Sequence, residues 1–582
     1  MLEVMQRAIT GRATRLWFGS MQLDTPNILF LDSPTFPAPD LAELLLLERE
    51  EGYEISAVGY DAIEPPRLPK DLPVPMLALM PCQEEGITEG KGTMLIRAMP
   101  DHIRELVTDD GYEICSLGTS FELRRDARYL VRSIVSLRQA VGPTRLIHTP
   151  GIMDVGNLAL LVYLGVDLFD SSLLIYLSSR GCLSLPEGTI SADEADWLVP
   201  SANFEDILEF NYRSAMNELR LVRMAIRSGS LRELVETRIH SDPWAVAALR
   251  ILDIDYYDFQ ERQATVAGGT IRCNSRESLL RPDVRRFKDR LIERYRPPGH
   301  KRILLLLPCS ARKPYSTSRS HRILQRAIRS GVRNSRVVHE VIVTSPLGVV
   351  PRELEVVYPA AHYDIPVTGH WDCYEVEMIQ SLVRHFASMG YEHVVFHDGT
   401  DFVRDVVEGV DTAQGDPLTS EALDRLIGHL GNLCGEMPWI GYREDLEGEM
   451  VSLARFQFGE AGEQLMRGTS VAGRYPRLRI TDGETQLGML TPERGWISLT
   501  LEGAERLAER GYNLVTMGDF ELKGNLFAVG VQEADPRIRI GEETIVVRGG
   551  QVQAVGVASM NGEDMVVLRR GEAVRVRHAR RQ

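Results

Sequence analysis

Lysine is nearly absent from this 582-residue chain; it stands only at positions 70, 91, 288, 301, 313 and 523. Almost all positive charge is therefore arginine, whose planar guanidinium suits bidentate contacts to phosphate. No apolar run approaches the roughly 20 residues that cross a bilayer. The first residues, MLEVMQRAITGRATRLWFGS, carry no signal-peptide pattern. These absences predict a cytoplasmic protein with no membrane attachment. The seven cysteines, at 82, 115, 182, 273, 309, 373 and 434, are odd in number and form no CxxC or CxC pair. That argues against a disulfide framework and against a cysteine-rich zinc site. A GxxxxGK[ST] phosphate loop is also missing, so no ATP requirement is expected, and neither a metal nor another cofactor.

What is present is ordinary soluble composition, 44% apolar and 25% charged, over a length that holds about three to five domains. The net charge of −16 opposes nucleic-acid binding in bulk, yet arginines cluster at 281–302 and in the closing RVRHARRQ. An acidic body with local basic patches is compatible with RNA. An arginine-rich codon bias would produce the same pattern.

Residues 1–275 alternate strand-like runs (27–31, 75–80, 145–149, 166–170) with amphipathic helical runs (40–51, 121–140, 157–164, 210–227). Such alternation predicts a parallel α/β sheet or barrel. A basic helix, RESLLRPDVRRFKDRLIERYRPPGHK (276–301), ends at Pro297-Pro298-Gly299.

The next region carries the densest chemistry. The apolar run Ile303–Leu307 predicts a buried strand, followed by a loop with Cys309, Ser310, Lys313, Tyr315, Ser318 and Ser320. A helix begins near His321, with Ser320 as its expected N-cap. Two further strands end in polar motifs: 338–343 in Thr344-Ser345-Pro346-Leu347-Gly348, and 393–396 in His397-Asp398-Gly399-Thr400. An extended run at 361–367 leads to Gly369-His370-Trp371-Asp372. If the strands are parallel, all these motifs converge on the carboxyl edge of the sheet, where ligands bind in open α/β folds. Each motif taken singly also fits an ordinary turn.

Three stretches carry family resemblances. LGVDLFDSSLLIYLSSRGCLSLPEGT (164–189) is similar to the tRNA-guanine transglycosylases, and Asp170 occupies the position of their nucleophile. This resemblance implies a (β/α)8 barrel over 1–275. The family's three zinc-binding cysteines and histidine have no counterpart in SADEADWLVPSANFEDILEFNY (191–212), so the barrel is degenerate and its zinc site lost. Asp170 then either touches a nucleoside or serves as a helix cap or ion-pair partner. The tail 519–581, with strand patterns at 543–547, 552–557 and 574–577 between Gly-rich turns, resembles a PUA domain. That implies tRNA binding, with Lys523, Arg569, Arg570, Arg575 and Arg577 as candidate contacts.

The combination of degenerate barrel, PCSARKPY loop and PUA tail resembles the archaeosine synthase family of archaea. The expected architecture is a multidomain α/β protein. It comprises a (β/α)8 transglycosylase-like barrel (1–275), a three-layer α/β core with a parallel sheet (276–435), a small α+β connecting domain (436–508) and a PUA β-barrel (509–582). The resemblance implies a tRNA substrate carrying 7-cyano-7-deazaguanine in its D-loop. An amine is added to its nitrile, with free lysine as the first candidate donor and glutamine or ammonia as others. It also implies a radical-SAM lyase as partner; a homodimer is compatible with the sequence. A thiolate adds to a nitrile to give a thioimidate that an amine displaces. Cys309 is the candidate nucleophile, its thiolate favoured by Lys313 and by the start of the following helix. His321 or His397 would relay protons, and Asp372 and Asp398 would bind the ammonium of the donor. Two other readings stand at this stage: base exchange through Asp170, and a non-catalytic tRNA-binding subunit. For Cys309 a small buried turn residue, and for Lys313 a phosphate contact, are the plain alternatives.

Overall fold

The computed structural model describes residues 2–18, 21–50, 52–58, 66–69, 85–107, 111–201, 203–266 and 268–580. It resolves into two compact units, one of residues 1–264, 527–529 and 563–572, the other of 265–526, 530–562 and 573–582. The strand expected at 75–80 lies outside the described residues.

In the first unit a nine-stranded sheet runs in the order Arg67–Pro69, Gly52–Ala57, Leu44–Arg49, Asn27–Asp32, Leu168–Asp170, Leu146–His148, Ile114–Leu117, Thr93–Arg97, Gly86–Gly90. The six strands from Leu44–Arg49 to Thr93–Arg97 are parallel; those outside them pair antiparallel. The two ends of the sheet meet, the Arg67 N–H donating to the Lys91 carbonyl at 3.1 Å. The result is a barrel-like sheet that lacks, among the described residues, the regular eightfold strand–helix repeat. One cause is the run expected as a helix at 40–51. It forms instead the strand Leu44–Arg49, with Leu44 and Leu46 buried, and turns near Gly52 (φ +144°) into a hairpin with Gly52–Ala57. Leucine favours helix in isolation, but pairing on both sides outweighs a few tenths of a kcal/mol of propensity per residue. The helix expected over 121–140 is likewise broken in two. Asp126 accepts a hydrogen bond from the Tyr129 N–H and starts a fresh helix, Ala127–Val141, behind the short Ser120–Leu123.

The core of the second unit is a five-stranded sheet in the order Gly348–Pro351, Val338–Thr344, Ile303–Pro308, His393–Phe396, Val410–Asp411. Ile303–Pro308 lies parallel between Val338–Thr344 and His393–Phe396, as the converging motifs require. Its five aliphatic residues are all fully buried, so alternation is invisible in the sequence but operates in the fold. Ile303, Leu305 and Leu307 share a core with Leu324 and Ile328 of helix Arg319–Gly331 and Leu426 and Leu430 of helix Ser420–Gly435. Leu304 and Leu306 share one with Ile379, Val383 and Phe386 of helix Cys373–Ala387. Each such side chain contributes about 1.5–3 kcal/mol, which holds the three layers in place. The extended run at 361–367 does not join this sheet. Only Tyr363–Asp364 is a strand, and it pairs with Ile271–Arg272. The helix that starts at Tyr442 ends at Phe458 and restarts at Glu460, because Gly459 (φ +64°) interrupts it. A four-stranded antiparallel sheet (470–499) and a six-stranded mixed sheet that includes Glu543–Arg548, Gln551–Ala558 and Glu572–Ala579 complete the unit.

Candidate active site

The register decides which strand-end residues are neighbours. Pro308 pairs with Val343, which sets Cys309 beside Thr344; Leu306 pairs with Phe396, and the His397 N–H donates to the Leu306 carbonyl at 2.9 Å. Cys309, Thr344, Ser345, His397 and Asp398 therefore leave the sheet along one edge. The loop after Cys309 brings Lys313 back, its Nζ 4.0 Å from the centre of the Tyr363 ring. Beneath it lies a buried hydroxyl cluster. The Tyr363 hydroxyl is 2.5 Å from those of both Tyr315 and Thr344.

Cys309 and Lys313 do not form the charged pair expected from the sequence. Burial pushes the Cys309 thiol above its ordinary value, and the Lys313 charge and a hydrogen bond with Thr344 only partly offset it. Burial likewise pulls the Lys313 ammonium down, against the opposing pull of Cys309 and Asp364. The helix offers little help to the thiolate, since it begins only at Arg319. Both groups are thus driven toward their neutral forms, a thiol next to an amine able to take its proton.

The N-cap is Ser318, not Ser320. The Ser318 hydroxyl accepts the His321 N–H at 3.2 Å, and Ser320 lies 3.2 Å from it. Ser310 is turned to its own loop, donating to the Arg312 carbonyl. His321 is fully buried and both ring nitrogens are engaged: Nε2–H donates to the Pro308 carbonyl at 2.9 Å, and Nδ1 accepts from Arg352 at 2.8 Å. Burial, then the Arg352 charge, holds its pKa down to about 4. A neutral imidazole with no free nitrogen cannot relay protons, so His321 positions the strand end that carries Cys309. His397 is occupied in the same way, with Nδ1 2.9 Å from the Thr412 hydroxyl and Nε2 2.8 Å from the Pro417 carbonyl. Burial lowers its pKa too. Asp372 caps helix Cys373–Ala387, accepting from the Tyr374 and Glu375 N–H groups at 2.8 Å. His370 is exposed in the preceding loop.

Asp398 differs from all of these. It is buried, its Oδ2 accepts from the Thr400 hydroxyl, the backbone at Asp398 and Thr400 also favours the carboxylate, and its Oδ1 has no hydrogen-bond partner among the described residues. Burial raises its carboxyl to about 6. Nearby, the Ser345 hydroxyl is also buried without a partner. Unsatisfied groups of this kind are costly and mark places where something else binds.

Three participants were not singled out from the sequence: Tyr363, Arg352 and Glu355. Arg352 bridges His321 to Glu340 and Glu355, and Glu355 accepts the Ser316 N–H at 2.9 Å, so this ion-pair network ties down the Cys309 loop. The register sets Thr344, already placed at a strand end by the sequence, beside Cys309; nothing local marks Arg352.

Asp170 is 1% exposed, with Oδ1 accepting the Ser172 N–H and Oδ2 the Gly151 N–H; His148 Nε2 lies 3.3 Å from Oδ2. Among the tail residues, Arg577 is bound internally to Glu543 at 2.5 Å and to the Leu499 carbonyl, not presented to a ligand. Arg570 lies 4.6 Å over the Trp17 ring, Lys523 is 3.0 Å from Glu521, and Arg569 and Arg575 are exposed.

Comparison with known proteins matches residues 518–579 to the PUA domain family and 284–430 to a domain family of unknown function, DUF5591. The chain is 34% identical over 536 residues to archaeosine synthase subunit alpha of Methanosarcina acetivorans, covering 86% of this chain and 83% of the relative. It is 33% identical to archaeosine synthase of Haloferax volcanii, covering 78% and 80%. Similarity extends at 27% to tRNA-guanine(15) transglycosylase of Methanobrevibacter smithii, covering 72% and 64%. Fold and matches together define a mixed α/β multidomain protein with barrel-like sheets and a C-terminal PUA domain. Within that class, the chain belongs to the archaeosine synthase family.

Proposed function

We propose that the chain modifies tRNA in archaeosine biosynthesis, adding an amine to the nitrile of 7-cyano-7-deazaguanine to give an amidine. The observation that carries this reading is the edge shared by Cys309, Lys313 and the half-satisfied Asp398. Lys313, whose ammonium is disfavoured by burial, takes the Cys309 proton as the sulfur adds to the nitrile carbon, and returns it to the nitrile nitrogen. The thioimidate so formed is attacked by the free amine of the donor. The thiolate leaves, the C–S bond breaks as the C–N bond is completed, and no electrons are gained or lost. Asp398 Oδ1 accepts from the donor's ammonium. Lysine, with two amino groups, suits a site that must anchor one and react with the other; glutamine-derived ammonia does not use the anchor. As several relatives are named subunit alpha, a partner is expected to process the amidine, and a radical-SAM lyase has the chemistry to cleave it. The tRNA is engaged in part through the PUA domain, with Lys523, Arg569, Arg570 and Arg575 as its candidate contacts. Base exchange through Asp170 is disfavoured by that residue's burial and by its two backbone hydrogen bonds.

The test is incubation with cyano-modified tRNA and labelled lysine or glutamine, digestion to nucleosides and mass measurement. A lysine-sized mass gain on the base is expected. Release of free guanine from unmodified tRNA would instead establish base exchange.

A further inference from the structure

The basic helix at 276–301 is not used by this chemistry, and the structure gives its arginines a place. Within the second unit a cavity of about 700 Å³ is lined by Arg290, Arg294, Arg455, Arg467, Arg510 and Arg537. Four glutamates share the lining (Glu293, Glu460, Glu463 and Glu542); six positive against four negative leaves an excess of two. The carboxylates are partly committed: Glu542 pairs with Arg290 and Arg286, and Glu463 with Arg455. Arg467 and Arg510 are exposed and have no side-chain ion pair or hydrogen bond among the described residues. Arg294 reaches the Gln457 carbonyl at 3.4 Å and no other acceptor among the described residues. Its guanidinium is disfavoured by the charge of Arg290 and then by burial. Gln464 also lines the cavity, and its Oε1 is buried without a hydrogen-bond partner among the described residues.

A ligand for this lining must offer anionic oxygens to several guanidiniums and a hydroxyl donor to Gln464. We propose that the cavity holds the ribose-phosphate backbone of the RNA substrate, with phosphates on Arg294, Arg467 and Arg510 and a 2′-hydroxyl donating to Gln464. The proposal rests on the reading that the substrate is a tRNA, and adds where part of the backbone sits. Three distant segments build the site: the basic helix Pro282–Glu293 with its following residue, the helix break at Gly459, and the start of the PUA-bearing tail.

The test uses the full chain and an unmodified tRNA transcript with no amine donor, reading Kd against salt. Arg467→Ala/Arg510→Ala should raise Kd at least tenfold near 0.1 M salt. It should also flatten the slope of log K on log [salt] by about 1.4–1.8, the value for two phosphates. Both arginines are surface residues, and Arg467→Lys/Arg510→Lys, which keeps the charge, should restore the slope. Gln464→Leu should narrow the preference for RNA over an all-deoxy strand of the same sequence. An unchanged slope in the alanine pair overturns the proposal. So does displacement of the transcript by millimolar inorganic phosphate, which would mark a general anion site. A chain that binds the transcript with these dependences but forms no amidine would overturn the proposed chemistry and leave the backbone site standing.

Discussion

Asp170 and Asp398 look alike along the chain. Each closes a short parallel strand, each is buried, and each has a histidine near it. Their hydrogen bonds separate them. Both oxygens of Asp170 accept backbone N–H groups, which fix the turn at Gly151 and the start of helix Ser172–Ser179. Asp398 has one oxygen on the Thr400 hydroxyl, and the other has no hydrogen-bond partner among the described residues. A carboxylate whose acceptors are filled by the backbone is a structural element; one left unsatisfied in a buried place is available to a ligand. The family resemblance points to the first, and the hydrogen-bond pattern points to the second.

The largest expected effect tests the edge that Asp398 shares. Cys309→Ala should lower amidine formation by at least about a thousandfold, the scale for losing a covalent nucleophile, with the far-ultraviolet circular dichroism unchanged. Full product from the alanine variant, measured by nucleoside mass, would refute covalent catalysis.

Asp398→Asn should raise the KM for the amine donor by one to two orders of magnitude, as expected when a charged partner is lost, and at the same time raise the Tm at pH 7. The sign follows from the raised carboxyl. Its folded pKa, about 6 against an ordinary 3.8, means that the folded state binds the proton more tightly than the unfolded chain. Stability from this group is full below pH 3.8 and falls as pH rises to about 6, by at most about 3 kcal/mol. The asparagine, neutral throughout, removes that loss. A Tm that falls at pH 7 would mean that Oδ1 has a partner after all.

Asp170→Asn should do the reverse, lowering stability by about 1–3 kcal/mol through its weakened backbone hydrogen bonds, while amidine formation per folded molecule stays within a few-fold. Denaturant melts alongside the nucleoside assay separate the two. Loss of product with unchanged stability would return Asp170 to the chemistry.

The smallest effect is expected at His321. Because its pKa is near 4, it contributes no inflection between pH 5 and 8, and His321→Gln, able to donate to the Pro308 carbonyl, should shift the pH–rate profile by less than half a unit. Disappearance of a limb near pH 6.5 would restore a proton-relay role.

Much of this was legible along the chain. Five aliphatic residues at 303–307, between a Pro-Pro-Gly stop and a polar loop, specify a buried central strand because burial on both faces admits no polar residue. The motifs after 343 and 396 specify the edge on which they converge, since parallel strands end together. Two failures have one cause. Residues 44–49 became a strand, and 361–367 left the central sheet, because pairing partners far away in sequence outweighed local preference.

The residue types at the candidate site, Cys309, Lys313 and Asp398, were determined by the sequence alone, as was the company they keep. Which of the polar groups remained free was decided only by the tertiary structure. His321, His397 and Asp372 are consumed by the Pro308, Arg352, Pro417 and helix-end contacts that folding brings to them, and Asp398 is not. The direction in which burial biases Cys309 and Lys313 was decided there too. Desolvation depends on what surrounds a group in space, and outweighs the attraction that their four-residue separation suggests.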